Sequence, residues 1–179
     1  MNTTIVRPAA SLPLELAREM RSNHAGETGA VWIYRGVLAV SSNAKIRSFA
    51  LHHLETEERH LQFFEDWLEP SQKSWLLPLW RLSGWVLGAV AAAGGLVWTH
   101  ASIEAVETFV VKHYEAQFAA LADHGDEELT AAINLFAADE ASHRDEAAAD
   151  DSKRSLILRA WCWIVGFASE QAVKIARML

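Results

Sequence analysis

Apolar residues recur at helical intervals along almost the whole chain, and the pattern breaks only where Pro, Gly, Ser, Asn and Asp cluster. Pro13 is placed to open a first helix from Leu14 to about Val40, where Ser41, Ser42 and Asn43 end it and cap the next. The second helix runs from Ala44 to Glu69, with Ile46, Phe49, Ala50, Leu54, Leu61, Phe64 and Leu68 on its apolar face, and Pro70 stops it. A third helix is expected from about Ala101 to Ala122. Asp123-His124-Gly125-Asp126 then turns the chain into a fourth, from about Glu127 to Ala149. A last amphipathic helix, 152–179, carries Leu156, Ile157, Trp161, Trp163, Ile164, Phe167 and Val173. No strand pattern appears, so the chain reads as all-α and as one domain over residues 1–179.

Residues 70–100, between the second and third helices, differ in kind. Trp75, Trp80, Trp85 and Trp98 punctuate a run in which Arg81 is the one charged residue after Lys73, and residues 82–103 are uncharged when His100 is neutral. That length matches a membrane span. Its centre, Ala89 to Gly95, is only weakly apolar, however, and Gly94-Gly95 invites a break. Surface docking on a membrane, a buried core helix and a true span are the three readings, and the tryptophans, placed where interfacial anchors would sit, favour docking.

Composition narrows the function classes. A chain of 179 residues, 51% hydrophobic, is large enough for one sizeable core. Cys162 is the single cysteine, which excludes an internal disulfide and a thiolate metal cluster. A net charge of −7 argues against nucleic acid as a partner. The charge is uneven: residues 71–103 carry +2 and residues 153–179 carry +4, which leaves −13 on the remainder. Arg7, Glu15, Arg18 and Glu19 interrupt the first twenty residues, which therefore read neither as a secretory signal nor as a transit peptide, and the mature chain is expected to begin here.

The candidate chemistry lies in two Glu-x-x-His units, Glu57 with His60 and Glu140 with His143. Residues three apart share a helix face, so each unit can present both ligands to one ion. Glu27 precedes Glu57 by 30 residues and Glu107 precedes Glu140 by 33, and a tyrosine follows each upstream acid by seven, Tyr34 and Tyr114. The chain thus reads as two related helical hairpins. One Glu from each of two helices and Glu-x-x-His from each of the others is the ligand set of a ferritin-like dinuclear carboxylate site. Four carboxylates aimed into one core would repel by about 3 kcal/mol per pair at an effective dielectric near 20, so such a cluster demands cations. Imidazole and carboxylate without thiolate suit iron, manganese or zinc; only the redox metals make use of two adjacent open positions for oxygen, so two iron ions are the expectation, and the ligand list does not choose between iron and manganese. Asp139 is a candidate acceptor for the second ring nitrogen of a ligand histidine, namely His60. Gly26 and Gly29 inside the first helix call for a close helix contact or room for a bulky neighbour.

Asn23-His24-Ala25-Gly26-Glu27, Glu57-x-x-His60-Leu61, Ala105-Val106-Glu107 with His113-Tyr114 and Gln117, and Asp139-Glu140-x-x-His143 together resemble the demethoxyubiquinone hydroxylases. The resemblance extends through Pro78-Leu79-Trp80. It implies a ferritin-like four-helix bundle with an apolar crossover, acting as an O2-dependent di-iron monooxygenase of ubiquinone biosynthesis. The implied ligands are Glu27, Glu57, His60, Glu107, Glu140 and His143, with His113 and Tyr114 near the quinone and in electron delivery. Its substrate would be a polyprenylated quinone, and its reductant NADH or the quinol itself, used without a dinucleotide-binding fingerprint. The expected setting is peripheral attachment to a membrane surface, the cytoplasmic face of the inner membrane if bacterial, with room for a homo-oligomer or a lipid-binding accessory protein. A ferritin-like iron-oxidising or iron-storage protein is the alternative, and the Trp-rich crossover, for which a storage protein has no use, counts against it.

Overall fold

The computed structural model describes residues 12–149 and 154–179. The N-terminal residues 1–11 and the expected start of the last helix at Ser152 lie outside the described residues. All regular structure among the described residues is helical. Seven α-helices follow in order: α1 (Leu14–Val40), α2 (Ala44–Trp67), α3 (Leu77–Ala93), α4 (Leu96–Glu115), α5 (Phe118–His124), α6 (Glu127–Ala148) and α7 (Leu156–Met178).

Short polar side chains set most of the boundaries. Asn43 Oδ1 accepts from the amides of Lys45 (2.9 Å) and Ile46 (3.4 Å) and so caps α2. Asp126 caps α6 at Leu129 N (3.0 Å), and Ser155 caps α7 at Leu158 N (3.2 Å). Gly95 at φ 86° and Gly125 at φ 76° turn the chain into α4 and out of α5, conformations that exclude most side chains. Pro70 opens a short 3-10 turn over Pro70–Gln72, so α2 ends at Trp67, two residues before the expected limit.

The third helix departs from expectation at both ends. It starts at Leu96, directly after Gly94-Gly95, and it breaks at Ala116 and Gln117 before α5 resumes. The break has a cause: Gln117 Nε2 donates to the carbonyl of His113 (3.1 Å), and its backbone N–H bonds the carbonyl of Tyr114, three residues back (2.9 Å). The tighter bond and the competing side chain interrupt the α ladder.

α1 pairs with α2 and α4 with α6, and these four form the ferritin-like bundle. α3, within the 70–100 crossover, lies along α1, and α7 bridges α1 and α4. Small residues make the α1–α3 seam close. A Cβ on Gly84 would fall 2.3 Å from the Gly29 carbonyl oxygen, one on Gly88 1.9 Å from that of Ile33, and one on Gly36 2.2 Å from that of Trp85. The crossover is therefore a packed element of the fold on its inner side. Trp80 is buried, its Nε1–H donating to Ser74 Oγ (3.3 Å), whereas Trp75 remains 68% exposed. This corrects the expectation that Trp80 is an interfacial anchor. No helix among the described residues is long and apolar enough to cross a membrane.

Two apolar clusters fill the bundle. One joins Met20, Phe64, Leu121, Leu129, Ile133 and Phe136; the other joins Ile33, Val37, Ile46, Phe49, Ile103 and Val165. Between them the bundle axis is acidic.

Candidate metal centre

The helical phase of each bundle element turns one acid inward at the same level: Glu27 from α1, Glu57 from α2, Glu107 from α4 and Glu140 from α6, all 3% exposed or less. His60 and His143, one turn beyond Glu57 and Glu140, face the same level and are buried. Donor atoms of Glu27, Glu57, His60 and Glu140 lie within 4.8 Å of one another, and so do those of Glu57, Glu107, Glu140 and His143. Glu57 and Glu140 belong to both sets and can bridge two ions.

Polar atoms left over inside the protein test whether cations fit. Glu27 Oε2 and both oxygens of Glu57 are buried without a hydrogen bond, a costly state for a carboxylate. Glu57 Oε1 does lie 3.2 Å from His143 Nδ1, close enough to attract but without hydrogen-bonding alignment. Burial and the charge of Glu140 push the Glu57 and Glu107 carboxyls well above the ordinary carboxylate range. Glu140 behaves oppositely. Burial raises it, but hydrogen bonds from His143 and His60 prevail and bring it to about 2. Burial likewise opposes charge on the two histidines, yet the surrounding carboxylates lift His60 to about 11 and His143 to about 10. So much negative potential with so few donors is the electrostatic demand that divalent cations meet.

Partners outside the cluster orient its members. His60 Nδ1 faces Glu140 Oε1 (3.0 Å), while His60 Nε2 faces Asp139 Oδ2 (3.1 Å), the contact anticipated from the sequence. The tyrosines cross between the hairpins. Tyr34 of the first donates to Glu107 Oε1 of the second (3.4 Å), and Tyr114 of the second donates to Glu27 Oε1 of the first. His53, unremarked in the sequence, is fully buried, stacks on Tyr34 and meets the His143 ring edge-on at 4.2 Å.

His113 lies beside Tyr114 in a second polar network. Its Nε2–H donates to Asn23 Oδ1 (2.8 Å), and Asn23 and Gln117 exchange two further hydrogen bonds. Nδ1 accepts from Arg177 Nη2 (3.3 Å), whose guanidinium Glu19 holds at 2.8 and 3.1 Å. Burial and the Arg177 charge bring His113 down to about 4, so the ring is neutral. Arg177 and Glu19 carry no local sequence signal for this role, because 158 residues separate them.

A cavity of about 280 Å³ runs from this network to the acids between α1, α3, α4 and α7. Its wall is almost wholly apolar, with Ile33, Trp80, Phe109, Val110, Trp161 and Val173 among its residues. Its inner end is Glu27, Glu57, Glu107, Glu140 and Tyr114.

A helical bundle that gathers one Glu from each of two helices and Glu-x-x-His from each of two others has the design of the dinuclear carboxylate proteins. Residues 14–176 match the family described as Ubiquinone biosynthesis protein COQ7, and the chain belongs to that family. It is 31% identical over 162 residues to the NADPH-dependent 3-demethoxyubiquinone 3-hydroxylase of Dictyostelium discoideum, covering 88% of this chain and 75% of that protein. Against the 3-demethoxyubiquinol 3-hydroxylase of Rhodospirillum rubrum the identity is 36%, over 77% of this chain and 66% of the relative. The human NADPH-dependent 3-demethoxyubiquinone 3-hydroxylase is 30% identical over 86% of this chain and 76% of its own length.

Proposed function

We propose that the chain is a di-iron monooxygenase that uses O2 to hydroxylate the ring of a demethoxyubiquinone or demethoxyubiquinol in ubiquinone biosynthesis. One observation carries the reading: an apolar cavity ends on the carboxylate-histidine cluster. A lipid-tailed ring gains from every apolar wall it covers, while a store of hydrated ions gains nothing from them. The names of the relatives agree with this chemistry.

Glu27, Glu57, His60 and Glu140 would hold one iron, and Glu57, Glu107, Glu140 and His143 the other. Bound iron supplies the redox chemistry through which O2 can oxidise a ring. The chain's own residues bind and orient. Asp139 keeps His60 Nδ1 turned toward the acids. Tyr34 and Tyr114 each hold one oxygen of a carboxylate, which leaves the other free to face an ion. Tyr114 also lies on the cavity wall, where its hydroxyl donates to Glu27 and so ties the wall to that acid. His113 has both nitrogens committed to protein partners, so its part is to hold Asn23 and the wall. Electrons come from reduced nicotinamide or from the quinol.

The cavity lies between α3 and α7, the helices whose outward faces carry Leu82, Trp85, Val86, Trp163 and Phe167 in exposed positions. We read this face as docked on a membrane that supplies the polyprenylated quinone, with the chain attached peripherally and on the cytoplasmic side of the inner membrane if bacterial. A second copy or a lipid-binding accessory protein would compete for the same face. Each Lys or Arg near anionic headgroups adds about 1 kcal/mol, and exposed aromatics add burial. Trp75→Ser with Trp85→Ser should lower sedimentation with anionic liposomes, and high salt should release part of the wild type. Retention of the double variant and wild type alike in carbonate, with release by detergent alone, overturns peripheral attachment.

Two measurements test the enzyme reading. The purified chain should carry about two iron per molecule, and it should restore quinone synthesis in a hydroxylase-deficient strain. An iron-loaded chain that neither restores synthesis nor hydroxylates the ring refutes it.

A further inference from the structure

The glycines of α1 and α3 serve two distinct ends. Gly36, Gly84 and Gly88 let two backbones touch, since a Cβ on any of them would collide with a carbonyl oxygen. Gly26 and Gly29 are different. A Cβ on either would meet nothing within 4 Å, and neither adopts a positive φ. Packing and backbone conformation therefore leave both positions open to alanine, which helix propensity favours over glycine.

What a side chain there would take is cavity space. Gly26 and Gly29 line the cavity, and Gly26 is exposed to it while Ala25 and Glu27 on either side are buried. Being three apart, they clear a continuous slot along one face of α1, next to the acid that α1 contributes. The same cavity ends on Glu57, which is wholly buried and whose two oxygens have no hydrogen-bond partner, so the slot opens directly onto the proposed metal ligands. An alkyl tail is a single row of methylenes and needs only a narrow bore. A substituted ring is broad in its own plane and needs a slot that is open to one side.

We infer that Gly26 and Gly29 are specificity-determining residues that widen the inner end of the cavity, so that the quinone ring, and not only its apolar tail, reaches the carboxylates. The inference rests on the reading of this cavity as a quinone site. A larger residue at either position leaves the bundle and its acids in place and excludes the ring.

The test compares iron-loaded wild type with Gly26→Val, Gly29→Val and Gly26→Ala. Binding of decylubiquinone and of n-decanol is followed by quenching of tryptophan fluorescence, since Trp80 and Trp161 line the cavity, and by calorimetry. Gly26→Val should bind decylubiquinone at least tenfold more weakly, retain n-decanol affinity and iron content, and melt no lower than wild type. Gly26→Ala should show a smaller loss with an equal or higher melting temperature, and it decides the matter alone should the valine variants misfold. Equal decylubiquinone affinity in wild type and variants overturns the role of the glycines while the quinone site stands. Parallel loss of n-decanol also overturns it, because the effect is then not on the ring. Wild type that binds n-decanol but no decylubiquinone overturns the quinone site itself, and the inference with it.

Discussion

The two hairpins, α1 with α2 and α4 with α6, offer the same ligand types at nearly the same spacing, yet they surround them differently. Asp139, immediately before Glu140, reaches across to His60, whereas the matching residue before Glu57 is Thr56, which accepts from Arg59 instead. Four residues before Glu140, Phe136 covers the His60 ring at 4.1 Å; four before Glu57, His53 meets the His143 ring at 4.2 Å. Glu140 is hydrogen-bonded by both histidines, while Glu57 has no hydrogen bond. A pseudo-symmetric pair of hairpins thus builds two inequivalent halves. Electronic difference between two metal positions can arise from residues beside the ligands as well as from the ligands themselves.

Removing a ligand that both halves share should have the largest effect. Glu57→Ala and Glu140→Ala are each expected to lose most bound iron and all hydroxylation, measured as iron per chain and product formed. Retention of metal and turnover by either would remove the bridge from the proposed site.

The second-partner asymmetry predicts a split between matched positions. Asp139→Asn should weaken iron binding by roughly tenfold to a hundredfold, as loss of an orienting carboxylate ordinarily does. Thr56→Ala should leave it within about twofold, because Thr56 faces Arg59 and not the cluster. Equal effects at the two positions would make the halves equivalent after all.

Smaller effects are expected at the crossed tyrosines. Tyr114→Phe and Tyr34→Phe should both keep iron. Tyr114→Phe should slow site reduction or hydroxylation more, since Tyr114 lies on the cavity wall and donates to Glu27 there, whereas Tyr34 is absent from that wall. Each lost hydroxyl should cost about 1 kcal/mol of stability in denaturant unfolding.

The comparison can also be tested in the metal-free protein's pH dependence. Folded His60 and His143 titrate near 11 and 10, above the unfolded value of 6.5, and burial and neighbouring charge raise Glu57 and Glu107. All four bind protons more tightly in the folded chain, so their contribution is greatest at low pH and is lost as pH climbs. The melting temperature of apoprotein should therefore fall between about pH 7 and pH 10, and iron should flatten the slope. A rising apoprotein curve over that window would contradict the charge balance.

Much of this was legible in the sequence. The 3.6-residue period and the Asn43 and Asp126 signals predict α1, α2 and α6 to within a few residues, because capping and periodicity are local, whereas α4 begins five residues earlier and ends seven residues sooner than expected. The six proposed ligands were legible because a helix converts sequence spacing into a shared face. The Gln117 break was not, since the groups that capture its side chain include Asn23, 94 residues away. Trp80 could not be told from Trp75 or Trp85 by hydropathy, because all three are apolar and only the α1–α3 seam decides which one turns inward. The Arg177 contact to His113 was likewise invisible until α7 lay across α1 and α4.

The sequence by itself determined an all-α chain, two hairpins with matched acid and histidine spacings, an apolar crossover and an uneven charge. Tertiary structure alone decided which tyrosine holds which acid, that Glu57 is left without a hydrogen bond where Glu140 receives two, and that Gly26 and Gly29 face open space while Gly36 faces backbone. The physical reason is range. Helical periodicity, capping and net charge act between residues a few positions apart, whereas hydrogen-bond partners and cavities depend on how separate helices are rotated and stacked, which no single segment encodes.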